Sequence, residues 1–169
     1  MSTILNTNGT TLSIPKPECE GFCFHIVTAE WNSEITHALR DGAVDTFIKA
    51  GIDKDRIYLH AVPGTVELIN AAALISKIQS SDGIIIIGCV IRGDTPHFDY
   101  VCQQAAQGAA ILNSRGETPI TFGVLTVDSL SQAQERAGGI LGNKGAEVAC
   151  AAIEMANLHQ RLSPNHGRQ

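Results

Sequence analysis

Residues 83–102 decide the fold, and they read Gly83-Ile-Ile-Ile-Ile-Gly-Cys-Val-Ile-Arg-Gly-Asp-Thr-Pro-His-Phe-Asp-Tyr-Val-Cys102. The run 83–91 is apolar and largely β-branched without alternation, which is typical of a central parallel strand buried on both faces. In the polar loop that follows, Gly93 permits a tight turn and Pro96 stiffens the start of the next helix. Backbone N–H groups without helical partners can hold an anion there, and His97 lies at the edge of that predicted anion site.

The rest of the chain repeats this order of a strand followed by a helix. Apolar strands are predicted at 22–28, 56–62 and 119–125, and the last helix is predicted at 144–159. Connections of helix length predict right-handed crossovers between parallel strands. The expected fold is therefore α/β, a three-layer αβα sandwich whose four-stranded parallel sheet has the order 2-1-3-4, with flavodoxin-like topology.

Local signals indicate the ends and faces of the first and last helices. Asn32 or Ser33 is the expected N-cap of the first helix, and Gly51 is expected to end it. The last helix is expected to turn one apolar face inward. That face comprises Val148, Ala152, Met155 and Ala156.

The length of 169 residues predicts one domain with a sizeable core. We expect that domain at 22–160, preceded by a polar N-terminal arm at 1–21 and followed by a polar C-terminal tail at 161–169. The arm has two open interpretations, a disordered segment or a segment that packs on a neighbouring subunit.

Charge and cysteine content argue against several classes of function. The net charge of −5 without a basic block disfavours nucleic acid and anionic membranes as partners, and no run approaches transmembrane length. The five cysteines form no CxxC pair, which disfavours both a disulfide scaffold and a metal site. A cytoplasmic location is expected, since reduced thiols are normal there.

The four predicted strand-to-helix loops should converge on one edge of the sheet, because the carboxyl ends of parallel strands lie together. These loops carry Trp31, residues 64–67, residues 93–97 and residues 126–129, with Arg136 one helix later. His97 is the sole histidine in such a loop, and an imidazole can accept and release protons near neutral pH. Trp31 suits either stacking on a planar ligand or covering the core, and Arg136 suits either a phosphate or its helix dipole.

Five motifs follow one another along the chain in a specific order. They read Val62-Pro-Gly-Thr-Val-Glu67, Gly88-Cys-Val-Ile-Arg-Gly-Asp-Thr-Pro-His-Phe-Asp-Tyr-Val-Cys102, Phe122-Gly-Val-Leu-Thr126, Gln132-Ala-Gln-Glu-Arg-Ala-Gly138 and Gly142-Asn-Lys-Gly-Ala-Glu147. Together they resemble the lumazine synthase family, whose members catalyse the penultimate step of riboflavin biosynthesis. The resemblance covers roughly residues 22–158.

The resemblance implies an activity and a set of site residues. The implied reaction condenses 5-amino-6-(D-ribitylamino)uracil with 3,4-dihydroxy-2-butanone 4-phosphate to 6,7-dimethyl-8-ribityllumazine, phosphate and water, with no cofactor and with His97 transferring protons. The residues implied to bind ribitylaminouracil are Trp31, Thr65, Val66, Glu67, Cys89, Val90, Ile91 and Phe122. Those implied to bind the butanone phosphate are Gly93, Asp94, Thr95 and Arg136. Phe122 would come from an adjacent subunit, because the family's site lies at a subunit interface.

The resemblance also implies a homo-oligomer. Members of the family form pentamers, many of which close into icosahedral shells, and those that stay pentameric often carry an insertion between the last two helices. The corresponding segment 136–144 is short here. We therefore expect a shell of about 60 subunits, with a pentamer as the fallback and riboflavin synthase as an enclosed partner.

Three alternatives share the expected topology. A flavodoxin-type flavin carrier should have a Ser/Thr- and Gly-rich phosphate loop after the first strand, where this chain has Ala29-Glu-Trp-Asn32. A receiver-type signalling module should have an acidic cluster at the ends of the first and third strands, and Glu30 and Asp94 are the acidic residues near those two ends here. A shell-forming container without catalysis stays open from the sequence.

Overall fold

The computed structural model describes residues 12–163. Residues 1–11 of the predicted arm and residues 164–169 of the predicted tail therefore lie outside the described part. The main sheet and its helices comprise β1 (Phe24–Ala29), α1 (Ser33–Ala50), β2 (Ile57–Val62), α2 (Leu68–Ile78), β3 (Gly83–Ile91), α3 (His97–Asn113) and β4 (Ile120–Val127). They are followed by α4 (Leu130–Arg136), β5 (Ala137–Gly139), β6 (Gly142–Asn143) and α5 (Lys144–Leu162), and a short 3₁₀ turn, Lys54–Arg56, precedes β2.

The four main strands form one parallel sheet in the order β2-β1-β3-β4, which confirms the predicted topology. Helices α1 and α5 cover one face of this sheet, and α2 and α3 cover the other. The chain is thus a three-layer αβα sandwich with flavodoxin-like topology. None of the helices in the described residues is long and apolar enough to cross a membrane.

Strand β3 is the centre of the molecule, and it occupies residues 83–91 as the apolar run predicts. Ile85 and Ile87 belong to the core beneath α1 and α5, whereas Ile84 and Ile86 belong to the core beneath α2 and α3. All four side chains are fully buried, so each contributes roughly 1.5–3 kcal/mol to folding. This burial on both faces explains why the run shows no alternation of polar and apolar residues.

Helices α1 and α5 cross at very close range. A Cβ atom added at Gly145 would lie 1.8 Å from the carbonyl oxygen of Leu39. The side chain of Asn143 lies beside this crossing, donating from Nδ2 to the Ala38 carbonyl and accepting at Oδ1 from the Ala146 N–H. Glycine at 145 is therefore required for the backbone contact, and Asn143 is the N-cap of α5.

The structure differs from the sequence expectations at several element ends. His97 is the first residue of α3 rather than a loop residue, and Met155 is 37% exposed rather than part of the buried face of α5. Asn32 is the N-cap of α1, as predicted by position, but its side chain makes no capping bond. The region around Gly138, predicted only as an interruption, forms the small antiparallel pair β5 and β6.

The described end of the predicted arm lies against α5 of its own chain. The Asn157 side chain accepts from the Glu18 N–H at 2.8 Å and donates to the Lys16 carbonyl at 2.9 Å. Glu18 also forms an ion pair with Arg161. These contacts attach residues 16–18 to the α/β domain.

Candidate active site

A cavity of about 580 Å³ lies at the carboxyl edge of the sheet, where ligands bind in open α/β folds. Its walls come from the β1–α1 loop, the β2–α2 loop, and the β3–α3 loop with the start of α3. Residues 89–91, at the end of β3, also line it. The cavity therefore arises from the convergence of successive loops that the topology predicts.

The β1–α1 loop supplies Trp31 and Asn32 to the cavity wall. Trp31, the only tryptophan of the chain, is 75% exposed, so its ring is available to a planar ligand. Its backbone N–H donates to the Pro63 carbonyl at 3.3 Å, continuing the pairing of β1 with β2 into the loops. The first two loops of the cavity are thus joined through their backbones.

The β2–α2 loop contributes Thr65, Val66 and Glu67. Thr65 is buried against β3, because a Cβ atom at Gly88 would lie 2.8 Å from its Oγ1. Glu67 is exposed at the N-cap position of α2, where a carboxylate is favourable to the helix dipole. This loop therefore presents a hydroxyl, an apolar side chain and a carboxylate in sequence.

The end of β3 offers backbone groups rather than a reactive thiol. Cys89 is 3% exposed, and burial raises the pKa of its thiol to about 11. The thiol is therefore protonated at neutral pH, which disfavours a nucleophilic role. Val90 and Ile91 are partly buried and pair with Thr126 and Val127 of β4.

The β3–α3 loop is held by Arg92, a residue that the sequence interpretation passed over. Its Nε donates to Asp128 Oδ1 at 2.9 Å and its Nη1 donates to Asp99 Oδ1 at 3.3 Å. The guanidinium also lies 4.1 Å from the centre of the Phe98 ring, within the range of a cation–π contact. Asp99, in the first turn of α3, and Asp128, directly after β4, are the residues that could have indicated these contacts of Arg92 from the sequence.

His97 and the residues after it form the far wall of the cavity. His97 and Thr95 are exposed and line the cavity, as does Gly93. Phe98 and Val101 line it as well, although the sequence interpretation did not select them. Val101 lies four residues after His97, so the helical period that begins at His97 would have indicated it.

The cavity brings together ten of the thirteen residues predicted for the site. These are Trp31, Thr65, Val66, Glu67, Cys89, Val90, Ile91, Gly93, Thr95 and His97. Asp94 is exposed in the same loop but does not line the cavity.

Phe122 and Arg136 lie elsewhere on the chain. Phe122 is 37% exposed on β4, which is an edge strand of the sheet. Arg136 ends α4, where its Nη1 donates to the Gln132 carbonyl at 2.9 Å and lies 3.7 Å from Glu135 Oε2. Neither residue lines the cavity of its own chain.

The fold and the cavity together define the class: a flavodoxin-like α/β protein with a small-molecule site built from the loops at the carboxyl edge of its sheet.

Comparison with known proteins identifies the family within that class. A family model described as 6,7-dimethyl-8-ribityllumazine synthase matches residues 21–160. The chain is 50% identical over 135 residues to the 6,7-dimethyl-8-ribityllumazine synthase of Porphyromonas gingivalis, covering 80% of this chain and 84% of that protein. It is 52% identical over 135 residues to the enzyme of the same name from Bacteroides fragilis, covering 80% and 94%.

The chain therefore belongs to the 6,7-dimethyl-8-ribityllumazine synthase family, which confirms the resemblance seen in its motifs. It is an enzyme of the transferase class, and its family acts in riboflavin biosynthesis.

Proposed function

We propose that the enzyme condenses 5-amino-6-(D-ribitylamino)uracil with 3,4-dihydroxy-2-butanone 4-phosphate to give 6,7-dimethyl-8-ribityllumazine, phosphate and water. The observation that carries this proposal is the single cavity that collects ten of the thirteen predicted residues from three loops, the end of β3 and the first residue of α3. Its volume lies in the range of small-molecule sites. Two bound reactants held side by side gain from proximity, which lowers a bimolecular barrier by up to ~7–11 kcal/mol.

The ribitylaminouracil is assigned to the side of the cavity next to β1 and β2. Trp31 stacks on the pyrimidine, and the backbone groups of residues 89–91 bind the polar edge of that ring. Thr65 and Glu67 bind the hydroxyl groups of the ribityl chain, and Val66 supplies apolar contact. The high exposure of Trp31 and the neutral Cys89 thiol are consistent with this assignment.

The butanone phosphate is assigned to the β3–α3 loop. Gly93, Asp94 and Thr95 precede the N-terminus of α3, where backbone N–H groups favour a phosphate. Arg92 is not assigned to the phosphate, because its guanidinium already forms ion pairs with the carboxylates of Asp99 and Asp128. We assign that task to Arg136 of a neighbouring copy, since Arg136 does not line the cavity of its own chain.

His97 transfers protons in the proposed reaction. The primary amine of the uracil attacks the ketone and water leaves, which forms an imine. Loss of the C3 proton and of the C4 phosphate then gives an enol that becomes a second ketone. The ribityl-bearing amine closes the ring on that carbon with loss of another water. His97 accepts the C3 proton, since its exposed imidazole lies on the cavity wall next to the phosphate loop.

We further propose that the enzyme is a homo-oligomer in which Phe122 and Arg136 complete the cavity of the adjacent copy. Support comes from apolar side chains that the described residues leave exposed on the sheet edge and on α2 and α3. These are Leu59, Leu74, Ile78, Tyr100 and Ile111. Family members that stay pentameric often carry an insertion between the last two helices. The connection between α4 and α5 is only residues 137–143 here, which favours the shell of about 60 subunits over a pentamer. Sedimentation that detects only pentamers at working concentration would contradict the shell.

The proposed reaction is tested by incubating the purified protein with both substrates. We expect lumazine, measured by its fluorescence, and phosphate to form in equal amounts. Both should form far faster than they do without the protein. A container without catalysis would leave the rate unchanged. Riboflavin synthase, the proposed enclosed partner, is left out of this assay so that the lumazine accumulates.

A further inference from the structure

Asn32 has an unusual backbone conformation at the mouth of the cavity. Its φ of 58° and ψ of 44° place it in the left-handed region, and it is the only residue other than glycine with positive φ among residues 12–163. Asparagine is among the few side chains that adopt this conformation readily. The Asn32 carbonyl accepts from the N–H groups of Ile35 and Thr36 and so starts α1.

The side chain of Asn32 serves β3 instead of α1. Its Nδ2 donates to the Cys89 carbonyl at 2.9 Å, and it makes no capping bond to α1. The pairing of β1 with β3 ends at Thr28 and Ile87, two residues before Cys89. The Asn32 amide therefore supplies the Cys89 carbonyl with a partner at the point where β1 no longer does.

We infer that Asn32 is a positioning residue that fixes the Trp31 ring and the Cys89–Ile91 backbone in one mutual geometry. The inference rests on the proposed function, in which these two groups hold the face and the edge of the same pyrimidine. The position needs a side chain that both tolerates the left-handed region and carries an N–H donor. Glycine meets the first requirement only, alanine meets neither, and aspartate lacks the donor.

Asn32→Gly is the main test, because glycine keeps the backbone unstrained and removes the amide that donates to the Cys89 carbonyl. We expect the KM for ribitylaminouracil to rise about tenfold, as expected for a lost hydrogen bond and a looser site, with the KM for butanone phosphate changed less than about twofold. Asn32→Asp should behave similarly because it also lacks the donor. Equal rises in both KM values, or no rise, would overturn the inference.

A second measurement needs no substrate and therefore separates this inference from the proposed reaction. Trp31 is the sole tryptophan, so the fluorescence anisotropy of the ligand-free assembled protein reports on the loop next to Asn32. We expect lower tryptophan anisotropy and faster acrylamide quenching in Asn32→Gly, with an unchanged oligomeric state. Wild-type values for both would overturn the positioning role, whether or not the protein makes lumazine.

Discussion

The crossing of α1 with α5 and the β3–α3 loop both contain glycine, but in opposite surroundings. A Cβ atom at Gly145 would lie 1.8 Å from the Leu39 carbonyl oxygen, whereas one at Gly93 would meet no atom within 4 Å. The first region is closed by backbone contact, and the second is open to a ligand. The difference indicates that substitutions at the crossing act on folding, whereas substitutions at the carboxyl edge act on substrates.

Gly145→Ala should produce the largest effect on stability. The added methyl group cannot fit unless α1 and α5 separate, so we expect the free energy of unfolding to fall by about 3 kcal/mol or more. Denaturant unfolding monitored by circular dichroism measures the change. Gly93→Ala is the matched control and should change stability by no more than about 0.5 kcal/mol, because the methyl group enters open space. Equal losses in the two variants would remove the contrast between the regions.

His97→Ala should produce the corresponding effect on turnover. The side chain is exposed at the start of α3, so its removal should leave the unfolding midpoint close to that of the wild type. We expect kcat to fall about a hundredfold, a typical loss when a proton-transfer group is removed. The fluorescence assay with both substrates saturating measures kcat. His159→Ala, on α5, is the control, and a similar loss of turnover there would contradict the specific role of His97.

Acidification should have a smaller effect, and it should act on the sheet between β1 and β2. His25 Nδ1 lies 2.9 Å from His60 Nε2, and the two rings stack. Burial and then the neighbouring His60 lower the pKa of His25, and burial lowers the pKa of His60. The unfolded chain therefore binds more protons than the folded chain once the pH falls below the ordinary histidine pKa of ~6.5. The free energy of unfolding should consequently decline as the pH falls below that value.

Urea unfolding at several pH values between about 7 and 5 measures this decline. His60→Gln should flatten the profile because it removes one imidazole of the pair, whereas His159→Gln should leave it unchanged. A His60→Gln profile that parallels the wild type would show that this pair does not determine acid sensitivity.

The sequence predicted the sheet well because the apolar composition of the strands indicates that they are buried. Strand β3 begins and ends with the apolar run 83–91, because a strand that is buried on both faces is apolar along its whole length. Trp31 and His97 meet in one cavity because parallel strands bring their loops to one edge. These predictions depended on patterns along the chain and on the motifs.

Other features depend on contacts between distant segments, which no local pattern reveals. The Asn32 side chain donates to a carbonyl 57 positions later, so Asn32 is the N-cap of α1 as predicted but its side chain does not bond to that helix. Arg92 acts through Asp99 and Asp128, and this arrangement becomes evident only when the loops are side by side. The absence of Arg136 from the cavity follows from the position of α4, which sequence alone did not indicate.

The central claim is that one cavity, completed by Arg136 of another copy, makes the lumazine, and mixed oligomers test it most directly. His97→Ala and Arg136→Ala subunits are dissociated, mixed in equal amounts and reassembled, and lumazine formation is compared with that of each variant alone. Random mixing gives about a quarter of the sites an intact His97 with an intact neighbouring Arg136, so we predict recovery to about a quarter of the wild-type rate. A mixture no faster than the average of the two separate variants would contradict the account.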